Sequence, residues 1–101
     1  MAVAMVMKWA GVTPDQYEEA RSRVGWETTH PEGAIFHVAR FVGGDLHVLD
    51  VWESEEDFDR FATDRLIPVT TEIGIAGQPD VQFERVHAYF NPAAVSAGAA
   101  A

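Results

Sequence analysis

Residues 35–54 read IFHVARFVGGDLHVLDVWES, and this stretch decides the fold. Two β-rich runs, Ile35 to Val42 and Leu46 to Trp52, flank Gly43-Gly44. A glycine pair between such runs signals a tight hairpin, because the favoured two-residue turns need positive φ. With Gly43 and Gly44 as the whole loop, Val42 pairs with Asp45 and the register follows outward. Phe41 then faces Leu46, Ala39 faces Val48, His37 faces Asp50 and Ile35 faces Trp52. The opposite face carries Phe36 and Val38 across from Leu49 and Val51, with Arg40 and His47 near the turn.

The flanking chain supplies the other elements. Ala2 to Trp9 is short, apolar and followed by Gly11, as a buried strand would be. In Thr13-Pro14-Asp15-Gln16, Thr13 suits an N-cap, Pro14 the first helical position and Gln16 the return bond of a capping box. Tyr17, Ala20 and Val24 recur at helical spacing, and Gly25 is placed to end the helix in a left-handed turn. Trp26 to Gly33 reads as a loop. After the hairpin, Ser54 caps a second helix with Glu55, Glu56 and Asp57 at its positive end. Phe58, Phe61, Ala62, Arg65 and Leu66 continue its stripe, and Pro68 is expected to break or kink it. Val81 to Phe90 is the last strand, ended by Asn91-Pro92.

The order β-α-β-β-α-β is the split βαβ pattern of an α+β, ferredoxin-like domain, a four-stranded antiparallel sheet with its helices on one face. Residues 1–92 are expected to form this single domain, and residues 93–101, rich in small side chains, a disordered tail. At 101 residues there is no room for a second core.

Composition narrows the partners. There are 7 basic residues against 16 acidic ones, a formal charge of −9. A nucleic-acid surface needs clustered Lys and Arg, whereas Lys8, Arg21, Arg23, Arg40, Arg60, Arg65 and Arg85 are scattered among carboxylates. Neither nucleic acid nor an anionic membrane is expected as a partner. The apolar start is interrupted by Lys8, well short of a span of about 20 residues. The chain has no cysteine, which excludes thiolate metal sites, disulfides and thiol nucleophiles and suits a cytoplasmic setting.

Both hairpin faces are mainly apolar. The uniformly aliphatic and aromatic one, with Phe36, Val38, Leu49 and Val51, suits packing on the helices. The face with Ile35, Phe41, Leu46, Val48 and Trp52 would then be bare, a patch large enough to call for a second copy of the chain. A cavity between the two sheets is the corresponding expectation.

The chemistry-bearing pair is His37 opposite Asp50. A carboxylate fixes the tautomer of an imidazole and raises its basicity, so in a dry pocket the pair can remove a proton from carbon or oxygen. The plainer alternative is a buried pair that only satisfies its own hydrogen bond. Trp52, Ile35, Phe41 and Val48 would wall a substrate site. His87 and Tyr89, sharing a face of the last strand with Phe83 and Arg85, are candidate donors to a polar substrate group or else lie outside. Trp9 and Trp26 read as packing anchors, and His30 as an exposed residue in a loop able to lid a pocket. No metal site is expected: His37 and His47 point to opposite faces, and no helix carries two spaced histidines. Phosphate-cradling glycine loops are absent, and no cofactor is expected.

The run Asp50-Val51-Trp52-Glu53-Ser54 leading into Glu56-Asp57-Phe58, with the strand–helix order and the length, resembles the dimeric α/β-barrel superfamily. The nearest group is the small antibiotic-biosynthesis-monooxygenase-like proteins, and the resemblance covers nearly all of Ala2 to Phe90. It implies a homodimer and an activity among cofactor-independent monooxygenases, polyketide cyclases, isomerases and haem-degrading enzymes, although no haem-degrading pattern carries over to positions of this chain. It also implies a ligand between the sheet and the helices of one subunit, which would turn the His37–Asp50 face toward the helices and the apolar face toward a partner.

Two functions stay open on the sequence. One is a cofactor-free enzyme using His37 as base on a hydrophobic, cyclic or polyketide-like molecule, by cyclisation, isomerisation, dehydration or dioxygen-dependent monooxygenation. The other is a non-catalytic module that binds or senses an apolar metabolite.

Overall fold

Gly43 and Gly44 have φ of 59° and 87°, the pair of positive angles a two-residue hairpin turn demands. Around them β2 (Ala34–Val42) pairs with β3 (Asp45–Trp52) in the expected register from Val42↔Asp45 through His37↔Asp50. The computed structural model describes residues 1–92; the expected disordered tail, 93–101, lies outside the described residues.

β1 (Val3–Ala10) pairs antiparallel with β3 on one side and with β4 (Asp80–Arg85) on the other. The sheet order is β2-β3-β1-β4, as the split βαβ pattern requires. α1 (Pro14–Val24) begins at Thr13 with both bonds of the capping box and ends at Gly25 in the left-handed region. α2 (Glu55–Phe61) is capped by Ser54, whose hydroxyl accepts the Asp57 N–H.

Pro68 does not end this second helix. Ahead of it the chain widens into a π turn over Ala62–Leu66, then continues as α3 (Ile67–Ile73) to a left-handed Gly74. Proline has no N–H to give to the carbonyl four residues back and its ring crowds that carbonyl, so a locally wider turn relieves the clash without breaking the helix.

The helices cover the face carrying Met5, Met7 and Trp9 of β1 and Leu46, Val48, Asp50 and Trp52 of β3, all buried. Val24, Phe58 and Phe61 from the helices complete that core. Met5 lies between Asp50 and Phe83, and Asp50 between Met5 and His37. These four side chains form one row under the helices.

The faces are therefore reversed from the first expectation, and agree with the arrangement implied by the resemblance. Phe36, Val38 and Leu49 lie on the bare side with Phe36 and Leu49 exposed, while Val51, on the same side, is buried. Ionic Asp50 can face inward because both its oxygens have partners there, and the large side chains of β1 share its face.

Two further expectations are corrected. Ile35 does not face Trp52: a β-bulge makes Ile35 the extra residue, with Ala34 opposite Trp52 and Phe36 opposite Val51. The last strand stops at Arg85. Beyond it the Val86 N–H donates to Ala2 O at 3.1 Å, and the Asn91 side-chain amide donates to Ile35 O at 3.0 Å on the far edge strand. Among the described residues no helix is long and apolar enough to cross a membrane.

Candidate active site

A cavity of about 250 Å³ lies between the sheet and the helices. Its walls are mostly apolar: Met5, Met7 and Val48 from the sheet, Phe58 and Phe61 from α2, and Ala20 from α1. Polar groups converge at one side, where Tyr17, His37, Asp50 and Trp52 all line it.

Strand geometry explains the convergence. Asp50 and Trp52 are two apart on β3 and so share a face, and His37 is the cross-strand partner of Asp50. His37 Nδ1 lies 2.6 Å from Asp50 Oδ1, and the Trp52 indole N–H donates to Asp50 Oδ2 at 3.0 Å. Asp50 is only 6% exposed, so these two donors supply the solvation it lost on burial. Ionised, it accepts from Nδ1–H, which leaves Nε2 of a neutral His37 as an acceptor.

That acceptor is met by α1. The Tyr17 hydroxyl lies 2.7 Å from His37 Nε2 and in this tautomer donates to it. The rings of Tyr17 and His37 are stacked, 3° from parallel with centroids 6.2 Å apart. Trp26 and Phe41 hold the Tyr17 ring at 5.9 Å and 6.2 Å. Burial pushes the Tyr17 phenol up to about 12, because desolvation penalises the phenolate, so the hydroxyl is a neutral donor at ordinary pH.

Tyr17 and His37 also separate the cavity from a shallow outer groove bordered by Arg21, Trp26, Glu27 and Phe41. Arg21 bridges Glu18 and Glu27 at its rim, and its guanidinium holds the Glu27 carboxyl below the usual carboxylate range.

The sequence candidates separate accordingly. His37, Asp50, Trp52, Val48 and Ile35 line the cavity. Phe41 does not; it stacks edge-on against Tyr17 beside the outer groove and is 41% exposed. His87 and Tyr89 fall beyond the end of β4, are exposed and line neither recess. Their expected strand parity is lost because the strand ends first. Trp9 is the anchor foreseen, its indole N–H donating to Ala76 O at 3.0 Å. Both Trp9 and Trp26 line the cavity, and Trp26 lies 5.3 Å from the His37 ring. His30, exposed in its loop, also borders the cavity.

Tyr17 is the residue that sequence reasoning missed. Its place on the inward stripe of α1 was legible, but its reach to His37 depends on how α1 crosses β2. Among the described residues no three His, Asp or Glu side chains are grouped to hold a metal ion.

By sequence the chain matches no family model and no curated protein. Solved structures resemble it throughout. SnoaB, a cofactor-independent oxygenase from Streptomyces nogalater, superposes with a TM-score of 0.64 at 15% identity, over 87% of this chain and 95% of that one. A monooxygenase from Streptomyces coelicolor, solved in complex with the ligand nanaomycin D, gives 0.61 at 16% identity over 90% and 92%. A conserved protein from Methanosarcina mazei is 21% identical with a TM-score of 0.58 over 84% and 92%. At these identities the likeness is one of fold. The cofactor-independent oxygenase and a putative antibiotic biosynthesis monooxygenase from Caulobacter crescentus, 16% identical with a TM-score of 0.60 over 82% of this chain and 87% of that one, share this fold.

Proposed function

We propose that the chain is a cofactor-free enzyme that removes a proton from a hydrophobic, ring-containing substrate held between the sheet and the helices. The observation that carries this reading is the 2.6 Å His37–Asp50 contact on the wall of an apolar cavity. His37 is the general base, and Asp50 holds its tautomer and pairs with the imidazolium that forms. Trp52 fixes Asp50 and, with Val48 and Ile35, walls the substrate. The substrate anion can then close a ring, isomerise, expel a leaving group or react with dioxygen. Monooxygenation is favoured by the cofactor-independent oxygenase among the structures of like fold.

The bare sheet face supplies the second part of the proposal. Phe36 is 46% and Leu49 36% exposed there, and a second copy of the chain covers them in a homodimer, since monomers rarely leave such patches in water. The cysteine-free composition suits the cytoplasm.

A small phenol tests the base directly. 4-Nitrophenol turns yellow when ionised, so its bound form reports whether the site takes its proton. At a pH where the free phenol is largely neutral, wild type is expected to bind it as phenolate and His37→Gln as phenol. Binding without ionisation by wild type would instead identify a non-catalytic module for apolar metabolites.

A further inference from the structure

Both ring nitrogens of His37 have partners within the protein: Asp50 at Nδ1 and the Tyr17 hydroxyl at Nε2. An imidazole so placed has no free lone pair to offer a substrate. Tyr17, however, also lines the cavity, and a phenolic oxygen can accept one hydrogen bond while donating another. From these contacts we infer that Tyr17 is a catalytic residue standing between base and substrate, and that substrate protons reach His37 through its hydroxyl. This relay rests on the reading of His37 as a base and adds the group that touches the substrate.

The step balances without any further reactant. The substrate O–H bond breaks and its proton joins the Tyr17 oxygen, while the Tyr17 proton passes to His37 Nε2. The products are a substrate anion, a neutral tyrosine and an imidazolium paired with Asp50. The two transfers are concerted, since a free tyrosinate would be costly in this setting, where burial already disfavours the phenolate. Afterwards the re-formed Tyr17 O–H points back at the new anion as a hydrogen-bond donor, which favours substrates whose charge rests on oxygen.

The same geometry describes the substrate class. The cavity of about 250 Å³ equals the liquid volume of roughly eight waters, room for a phenol or enol of one or two rings. Its apolar walls grip the ring, and its acidic O–H lies at the Tyr17–His37 end. Trp26 and Phe41 brace the Tyr17 ring, so the hydroxyl is held in place before substrate arrives.

The test uses Tyr17→Phe, which keeps the ring and its packing and removes only the hydroxyl. With 4-nitrophenol as probe, Tyr17→Phe is expected to bind it but to lose at least ten-fold in ionisation of the bound phenol. Ionisation equal to wild type would overturn the relay while leaving His37 as the base. A wild type that does not ionise the probe would overturn the base reading and the relay with it. Nitrogen NMR of wild-type His37 gives a check independent of any variant's folding. The relay requires a bare Nε2 accepting from Tyr17, and a proton found on Nε2 of neutral His37 would overturn it.

Discussion

Trp52 donates its indole N–H to the Asp50 carboxylate, two residues back on the same strand, at 3.0 Å. The wall of the cavity thus also fixes the group that orients the base. Trp52→Phe keeps an aromatic wall but leaves one oxygen of a buried carboxylate without its donor. A loss of about 1–3 kcal/mol is expected for such an unsatisfied group. Urea denaturation measures it, and a midpoint unchanged from wild type would mean that the indole contact contributes nothing.

Tyr17 makes stability sensitive to alkali. Its phenol titrates near 10.0 when unfolded and at about 12 in the folded chain, chiefly because burial disfavours the charged form. A raised folded-state value means that the contribution is complete below pH 10.0 and is lost as pH rises toward about 12. Wild type should therefore lose stability across that window more steeply than Tyr17→Phe. Parallel profiles for the two proteins would contradict the buried assignment.

Gly33 closes the loop ahead of β2 with φ of 84°. Its carbonyl accepts the Glu53 N–H at 2.8 Å, and a Cβ added there would sit 2.7 Å from the Asp57 Cβ. Gly33→Ala thus combines a left-handed backbone with a steric clash at the start of α2. A cost of about 1–3 kcal/mol is expected, visible as a lower thermal midpoint. A variant as stable as wild type would show that the loop re-forms freely.

Covering the bare sheet face predicts a concentration-dependent dimer. Phe36→Glu combined with Leu49→Glu sets charges into that patch on both copies and should yield monomers by sedimentation velocity. Dimers that persist would place the interface elsewhere.

Much of this was legible from the hairpin alone. Gly43-Gly44 fixed the pairing of His37 with Asp50, and the caps at Thr13 and Ser54 fixed where the helices begin. Which face the helices cover was not legible, because both hairpin faces are apolar. The parity of β1 holds the answer, with Met5, Met7 and Trp9 on one side and Lys8 on the other. Using it requires the long-range register of Met5 against Asp50, which no local signal encodes. The bulge at Ile35 has no glycine or proline to mark it. Tyr17 read as one member of a helical stripe because its hydroxyl's partner lies 20 residues away.

The central claim is that His37 takes a proton from whatever fills the cavity. Nitrogen NMR of His37 in the complex with 3-nitrophenol, a weaker acid than its 4-isomer, tests it most directly, in buffer just above neutral pH where the free phenol and an ordinary imidazole are both largely neutral. The expected result is a neutral ring protonated at Nδ1 in the free protein and a doubly protonated ring once the phenol is bound. A ring that stays neutral in the saturated complex would contradict the account.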